Sequence, residues 1–541
     1  MTCEELNDAA KEKDFFTQCK LQFLNIQQIV EHTFLAEGYQ LQKADAVLEP
    51  SFICEALGLQ GRLDYMQRDM NAFIEMKSGK AEEYKVRGKI LLKENHQVQM
   101  QLYQAVLEYS MGKSHYQTRA YLLYSRYPYL YPARPSWALL RRVINLRNQI
   151  VATEYTIQQK HDVAYTAQCL AKVNPEELRQ NEVGENFWKQ YLLPQTSWLQ
   201  ERLTALSDLE RSYFYTLYLF ITKELYTSKA GGSLYDMQRG AASLWLSTLE
   251  EKEEAGEIVC DLELIENQSA SEQKPFVRLR KKQAAGTDAL PNFRQGDSVV
   301  LYQRNVPTDN VTCQQVFKGN LEDFSDDLLT IRLRMPQRNP KVLPASSLYA
   351  IERDYMDTSF TMMFRGLATF LSASKERRSL LLGQSAPRHD EALEAQIAAA
   401  TDDFKRISLK AQAARDYFML IGPPGTGKTS KALRTMVEDF HREGKTILLL
   451  SYTNRAVDEI CKMLEHISPL PDYIRIGSEL TCEEAYRPHL IENVLDGLNR
   501  RKEVKNRLEC CRIFVGTVST LSSKTEIFHL KQFDVDRKSV V

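Results

Sequence analysis

At 541 residues, with 43% hydrophobic and 26% charged side chains and a net charge of -1, the chain has room for about three or four domains with cores of their own and carries no uniform basic coat for nucleic acid. Its acidic, polar opening does not suit a secretory signal, and its longest apolar run, residues 213–221, is too short to span a bilayer, so a cytoplasmic protein with no membrane association is expected. Ten cysteines are scattered from Cys3 to Cys511 without a Cys-x-x-Cys pair, which argues against both a zinc site and a disulfide framework.

Residues up to about 45 have helical spacing, with Phe23, Ile26, Ile29, Val30, Phe34 and Leu35 on one apolar face. Residues 60–66 and 72–77 predict paired strands around the polar turn 67–71. Helical spacing returns over 97–109, a strand is expected over 119–125, and a proline-rich loop through Pro135 leads into a helix ending near Asn148. Residues 1–150 thus form a small α/β unit. Residues 151–255 are helical, with amphipathic segments such as 206–225, and read as a spacer. From Glu257 the period changes to two. Six short runs (258–264, 276–280, 298–302, 316–321, 329–334 and 347–351) predict a compact β-barrel over 256–357. Arg278, Arg280, Lys281, Lys282, Arg332 and Arg334 on these strands either line a phosphate-facing groove or decorate a solvated face, and both readings stay open.

After a helical stretch over 358–416 comes a loop that fits the pattern Gly, four residues, Gly, Lys, Ser or Thr. It consists of Gly422, Pro423, Pro424, Gly425, Thr426, Gly427, Lys428 and Thr429. Residues 417–421 read as a short buried strand before it and 430–441 as a helix after it. In that setting successive backbone N–H groups and a helix N-terminus wrap an anionic phosphate, Lys428 adds charge, and the Thr429 hydroxyl ligates magnesium. A second strand over 445–451 and a third over 513–520, ending in a hydroxyl-rich loop, imply a parallel sheet with its ligand edge at the C-terminal strand ends.

A second constellation lies near the N-terminus. Asp64 closes one predicted strand, and Glu75-Met-Lys77 lies on the next. Side chains alternate along a strand, so Glu75 and Lys77 share a face with Met76 behind them. Two carboxylates and an ammonium can then converge on one phosphodiester. Asp64 and Glu75 would hold magnesium or manganese, which polarises the phosphoryl group and activates water, while Lys77 orients water or steadies developing charge. His96, Gln99 and Tyr103 fall at i, i+3 and i+7 of the following helix. Singly these residues are ordinary strand and helix decoration; the ordered set of Gly61, Asp64, Glu75, Lys77, Gln99 and Tyr103 predicts a nuclease site.

Asp64, Glu75-Met-Lys77 and the Gln99-to-Tyr103 spacing resemble the PD-(D/E)XK nucleases of the RecB type. Together with residues 58–64, 77–80 and 96–99 they resemble the nuclease half of the flap-processing nuclease-helicase family and its bacterial relatives. Residues 422–429 resemble helicase motif I, 453–457 motif Ia, and 515–520 the next DNA-contacting motif of superfamily 1 helicases of the 5'-to-3' branch. The barrel is similar to the one those helicases place before their first motor domain. The fold class expected is therefore multidomain α/β: a PD-(D/E)XK nuclease core (1–150), a helical spacer (151–255), a β-barrel (256–357) and a RecA-like P-loop sheet (358–541). The resemblance implies ATP and Mg2+ or Mn2+ as cofactors, single-stranded or flapped DNA as partner, and translocation coupled to metal-dependent cleavage in replication or repair. Three departures modify it. Cys169 stands alone where the family has three closely spaced cysteines, so no iron-sulfur cluster is expected. The family's upstream helix with Gly and His is altered or absent. Residues 533–541 stand where the family places an apolar strand and Asp-Glu-Ala, so a truncated motor with an unpaired sheet edge, weak ATP affinity and no measurable turnover is expected. Two alternatives are a nucleic-acid- and nucleotide-binding remnant with inert carboxylates, and an RNA helicase of the nonsense-decay type, which leaves Asp64 to Tyr103 unexplained.

Overall fold

The computed structural model describes residues 8–39, 41–79, 85–86, 89–90, 92–179, 184–231, 240–282, 292–325, 327–354, 358–423 and 425–538. They fall into two units, one of residues 16–161 and 222–357, the other of the remaining described residues.

Helix α1 (Ala9–Gln28), which belongs to the first unit from Phe16 on, runs into a π-helical turn, Ile29–Thr33. The apolar face expected here is narrower than its sequence suggests. Ile29 and Phe34 are buried against Ala72, Ile74, Tyr121 and Leu123, whereas Phe23 and Leu35 are 66% and 81% exposed. The sheet beneath α1 combines β1 (Ala46–Leu48), β4 (Tyr65–Gln67), β5 (Ala72–Lys77), β6 (Arg119–Tyr124) and β7 (Leu130–Ala133), in the order β1-β4-β5-β6-β7. Strands β5 and β6 are parallel, and the other pairs are antiparallel. Helix α2 (Glu94–Met111) covers the opposite face, placing Met100, Val106 and Leu107 against Phe73 and Leu122.

Two sequence expectations change here. The single strand expected over 60–66 is divided: β3 (Leu59–Arg62) pairs with β2 (Ser51–Cys54), and β4 pairs with β5. The chain changes sheets at Leu63 and Asp64. Leu63 is fully buried, its N–H bonds the Pro50 carbonyl at 3.0 Å, and the Asp64 carbonyl accepts from Glu49 N–H at 3.1 Å. The proline-rich loop before Pro135 contains β7, an edge strand in which Pro132 costs no ladder hydrogen bond on its open side. The helix that follows, α3 (Trp137–Lys160), continues well beyond Asn148.

Helix α4 (Leu249–Glu254) leads into six strands, each of them where the period-two runs lie: β8 (Ile258–Gln268), β9 (Phe276–Lys281), β10 (Ser298–Gln303), β11 (Val316–Phe324), β12 (Leu328–Leu333) and β13 (Leu348–Arg353). They pair in the order β10-β13-β8-β9-β12-β11, and β10 pairs with β11 to close the barrel. The β2–β3 hairpin continues this sheet through the pair Val316↔Ser51. Val277, Leu279, Leu301 and Ile331 of the barrel therefore share one apolar core with Phe52, Leu63, Phe73 and Tyr103.

In the second unit, Leu170, Leu203, Phe214 and Ile221 pack on Leu367, Phe370 and Leu371, and buried Arg378 bonds buried Glu210 at 2.7 Å. The sheet of this unit has four parallel strands, β14 (Ile447–Ser451), β15 (Tyr473–Ile476), β16 (Ile513–Thr517) and β17 (Val535–Lys538), in the order β15-β16-β14-β17. Helices α5 (Asp403–Ala413), α6 (Arg434–Arg442) and α7 (Asn454–Glu465) accompany it, and Val437, Phe440, Val457 and Leu464 pack on Ile447 and Leu449. Residues 417–421 are not a buried strand: Met419 and Ile421 are 71% and 87% exposed, and β16 and β17 occupy both sides of β14. The strand expected to be missing from the sheet at residues 533–541 is present as β17, which pairs with β14, and beside it the Asp534 carboxylate accepts from the Thr446 N–H at 2.8 Å. The hydroxyl-rich loop expected after β16 is helix α8 (Val518–Ser523).

One charge pair ties the end of the spacer to the barrel. Lys252 of α4 meets Glu352 of β13 at 2.7 Å with both side chains buried, and Tyr302 donates its hydroxyl to the other oxygen at 2.8 Å. Burial raises the Glu352 pKa, and Lys252 opposes the rise. Lys252→Met leaves this carboxylate without its cation and is expected to destabilise the unit by roughly 3–5 kcal/mol in chemical denaturation, with a double variant that also makes Glu352→Leu recovering most of the loss.

Candidate active site

Glu75 is 4% exposed, on the face of β5 that α2 covers. Its Oε1 accepts from Lys77 Nζ at 2.6 Å and from Gln99 Nε2 at 2.7 Å. Lys77 also donates to Gln99 Oε1 at 2.8 Å, which closes a triangle of carboxylate, ammonium and amide. One helical turn on, the Tyr103 hydroxyl lies 2.8 Å from Gln99 Nε2 and donates to the Arg62 carbonyl at 2.6 Å. Gly61 makes room for that ring, since a Cβ there would stand 3.1 Å from Tyr103 Cε1. Asp64 sits in the break between β3 and β4, and its Oδ2 accepts from the Met76 N–H at 2.6 Å. Met76 itself is 46% exposed on the opposite face.

The fold thus brings together Asp64, Glu75, Lys77, Gln99 and Tyr103. His96, expected on the same helical face, turns to Tyr124 instead, with 2.8 Å between Nδ1 and the hydroxyl. Some supporting groups carried no signal in the sequence. Ser125 N–H bonds the Lys77 carbonyl at 3.0 Å, and buried Asn25 of α1 donates to the Ser125 carbonyl at 3.0 Å. A lone serine and a lone asparagine gain such roles only from the tertiary fold.

Burial raises the Glu75 pKa; the hydrogen bond from Lys77 opposes the rise, and the charge of Asp64 adds to it. Tyr103 is pushed up to about 12, first by burial and then by the Glu75 charge. Glu75 Oε2 is buried without a hydrogen-bond partner. A buried, unpaired carboxylate oxygen beside a second carboxylate is an arrangement that a hard divalent cation relieves. No group of three or more His, Cys, Asp or Glu that could hold a metal is found among the described residues. The donor set is two carboxylates, which suits Mg2+, an ion commonly held by one or two carboxylates together with substrate phosphate and water.

In the glycine loop, Gly425 and Gly427 take φ of +79° and +82°, conformations that favour residues without a Cβ. Lys428 Nζ donates to the Gly422 carbonyl, and Thr426 Oγ1 donates to the Pro423 carbonyl at 2.8 Å. Gly427 caps the helical turn Lys428–Leu433, which includes Thr429 and runs into α6. Pro424 lies outside the described residues. At the C-terminal ends of β14 and β16, Thr453 and Thr517 cap α7 and α8. In the barrel, Arg278, Arg332, Arg334 and Lys282 meet Glu266, Glu322, Asp354 and Glu263. Four of the six basic strand residues are thus ion-paired.

Residues 399–535 match the family model described as an AAA domain. The chain is 27% identical over 277 residues to the DNA replication ATP-dependent helicase/nuclease JHS1 of Arabidopsis thaliana, covering 48% of this chain and 20% of that protein. It is 21% identical over 537 residues to the DNA replication ATP-dependent helicase/nuclease DNA2 of Bos taurus, covering 90% of this chain and 47% of that one. With the Gallus gallus protein of the same name it shares 24% identity over 356 residues, 62% of this chain and 34% of that protein. The chain is a relative of the DNA2-type nuclease-helicases. It spans less than half the length of these curated relatives. The match to the Bos taurus nuclease-helicase covers enough of the chain to take in both sites described above. No helix among the described residues is long and apolar enough to cross a membrane.

The Glu75 environment has a pH consequence. A carboxyl whose folded pKa is raised adds stability below its unfolded pKa, and that contribution is lost as pH rises through the folded value. Metal-free protein is therefore expected to lose thermal stability as pH rises through and above the ordinary carboxylate range, with a smaller slope in Glu75→Gln; Mn2+ should flatten the wild-type slope as well. Thermal midpoints across that range, with and without Mn2+, check both effects.

Proposed function

We propose that this protein is a metal-dependent DNA nuclease joined to an ATP-binding superfamily 1 DNA helicase motor. It acts in the cytoplasm on single-stranded or flapped DNA, in replication or repair. Residues 1–150 carry the PD-(D/E)XK-type nuclease, 151–255 the spacer, 256–357 the barrel and 358–541 the first RecA-like motor domain. The observation that carries the proposal is Glu75 Oε2, buried and without a hydrogen-bond partner in a carboxylate whose other oxygen bonds Lys77 and Gln99 and which feels the charge of Asp64.

Asp64 and Glu75 hold Mg2+ or Mn2+, which when bound polarises a phosphoryl oxygen and acidifies water. Lys77, bonded to Glu75, presents charge to the scissile phosphate. Gln99 fixes the distance between Glu75 and Lys77 by bonding both, and Tyr103 holds Gln99 by anchoring to Arg62. In the motor, the backbone N–H groups of Gly425 to Thr429 cradle the ATP phosphates. Lys428 exchanges the Gly422 carbonyl for phosphate oxygens, and the Thr429 hydroxyl joins the Mg2+ shell. An iron-sulfur cluster has no part in the proposal.

End-labelled single-stranded DNA incubated with Mn2+ is expected to be cut, and Lys77→Ala to slow cleavage on the order of a hundredfold or more. Equal rates in the two proteins would remove the assignment. DNA binding that falls steeply with salt, with no cut under any divalent metal, would replace it with the remnant reading. Preference for RNA of the same sequence would move it to the RNA helicases. Lys428→Ala is expected to weaken a fluorescent ATP analogue roughly tenfold, the loss of one charged phosphate contact, while leaving cleavage of single strands unchanged.

A further inference from the structure

Gln337, in the segment between β12 and β13, lies 289 residues from Leu48 in sequence and touches it in space. It is 3% exposed. Its side-chain amide makes both hydrogen bonds that a neighbouring strand would make: Leu48 N–H donates to Oε1 at 3.1 Å, and Nε2 donates to the Leu48 carbonyl at 2.6 Å. Gln337 is itself held from behind, since its N–H bonds the Ser269 carbonyl at 2.6 Å and its carbonyl lies 3.3 Å from Ser269 Oγ.

What this clamp fixes is the corner that carries Asp64. Leu48 ends β1, and the next residue, Glu49, takes φ of +47° without being glycine, a conformation that persists only where surroundings enforce it. Glu49 N–H donates to the Asp64 carbonyl at 3.1 Å, Pro50 accepts from Leu63 N–H at 3.0 Å, and the Glu49 carboxylate meets Arg62 at 3.0 Å. Asp64 thus lies in an irregular stretch between two strands, where no continuous ladder holds it, and its position depends on this corner. We infer that Gln337 is a positioning residue for the metal-binding carboxylate Asp64, so that the barrel is a working part of the nuclease centre. The inference rests on the metal reading of Asp64 and Glu75.

The test is direct Mn2+ binding, read from the paramagnetic resonance signal of the free ion, in the full chain and in Gln337→Met, Ser269→Ala and Glu75→Gln. Gln337→Met keeps the length of the side chain and removes both hydrogen bonds. It is expected to weaken Mn2+ about tenfold, as loss of a supporting group around a metal site does. The milder Ser269→Ala should move binding in the same direction by about two- to threefold. Binding of an ATP analogue should be unchanged in both. If wild type binds Mn2+, Glu75→Gln does not, and the Gln337 and Ser269 variants bind as wild type does even with lowered melting temperatures, Gln337 is merely structural and the inference is overturned alone. If wild type and Glu75→Gln bind alike, the metal reading falls and takes the inference with it. Should Gln337→Met fail to fold, Ser269→Ala decides by the same comparison.

Discussion

The candidate centre depends on one carboxylate held out of water. Glu75 lies where β5 meets α2, and one of its oxygens is shared between an ammonium and an amide while the other has no partner. Everything around it follows from the cost of burying that charge. Lys77 must be on the same face, which strand alternation provides; Gln99 must reach both, which helix spacing provides; and Tyr103 must hold Gln99, which requires Gly61 beneath its ring. On the metal reading proposed above, the partner for Oε2 would be a cation, and the second carboxylate, Asp64, comes from a different kind of element, a break between two strands.

That break explains why the barrel and the α/β sheet form a single core. The β2–β3 hairpin belongs to the barrel sheet by hydrogen bonding and ends at Arg62, two residues before Asp64, and the Arg62 carbonyl accepts from Tyr103 of α2. The second unit uses another strategy. Its parallel strands end at helices capped by Thr453 and Thr517, and its glycine loop closes on itself through Lys428 and the Gly422 carbonyl. In one unit, long-range packing fixes the site; in the other, local capping and loop chemistry do.

The same contrast separates what the sequence reveals from what it hides. Six barrel strands are legible because period-two burial and turn residues are local signals. The Glu75–Lys77 face and the Gln99–Tyr103 spacing are legible because both rest on fixed periodicities. The division of the strand over 60–66 is not, since a chain that switches sheets keeps its alternation and places no Gly or Pro at the switch; the information lies in bonds to Glu49 and Pro50. Residues 417–421 read as a strand because they are apolar, but composition does not say whether a sheet position is open to receive them. The role of Gln337 is invisible for a similar reason: a buried glutamine acquires meaning only from the backbone it meets 289 residues away.

The most direct measurement is anomalous scattering at the manganese edge from crystals of the full chain grown with Mn2+. The account predicts a peak between Asp64 and Glu75, with Glu75 Oε2 about 2.0–2.6 Å away, the range of oxygen ligands to hard divalent cations. No peak there, or one remote from both carboxylates, would contradict it.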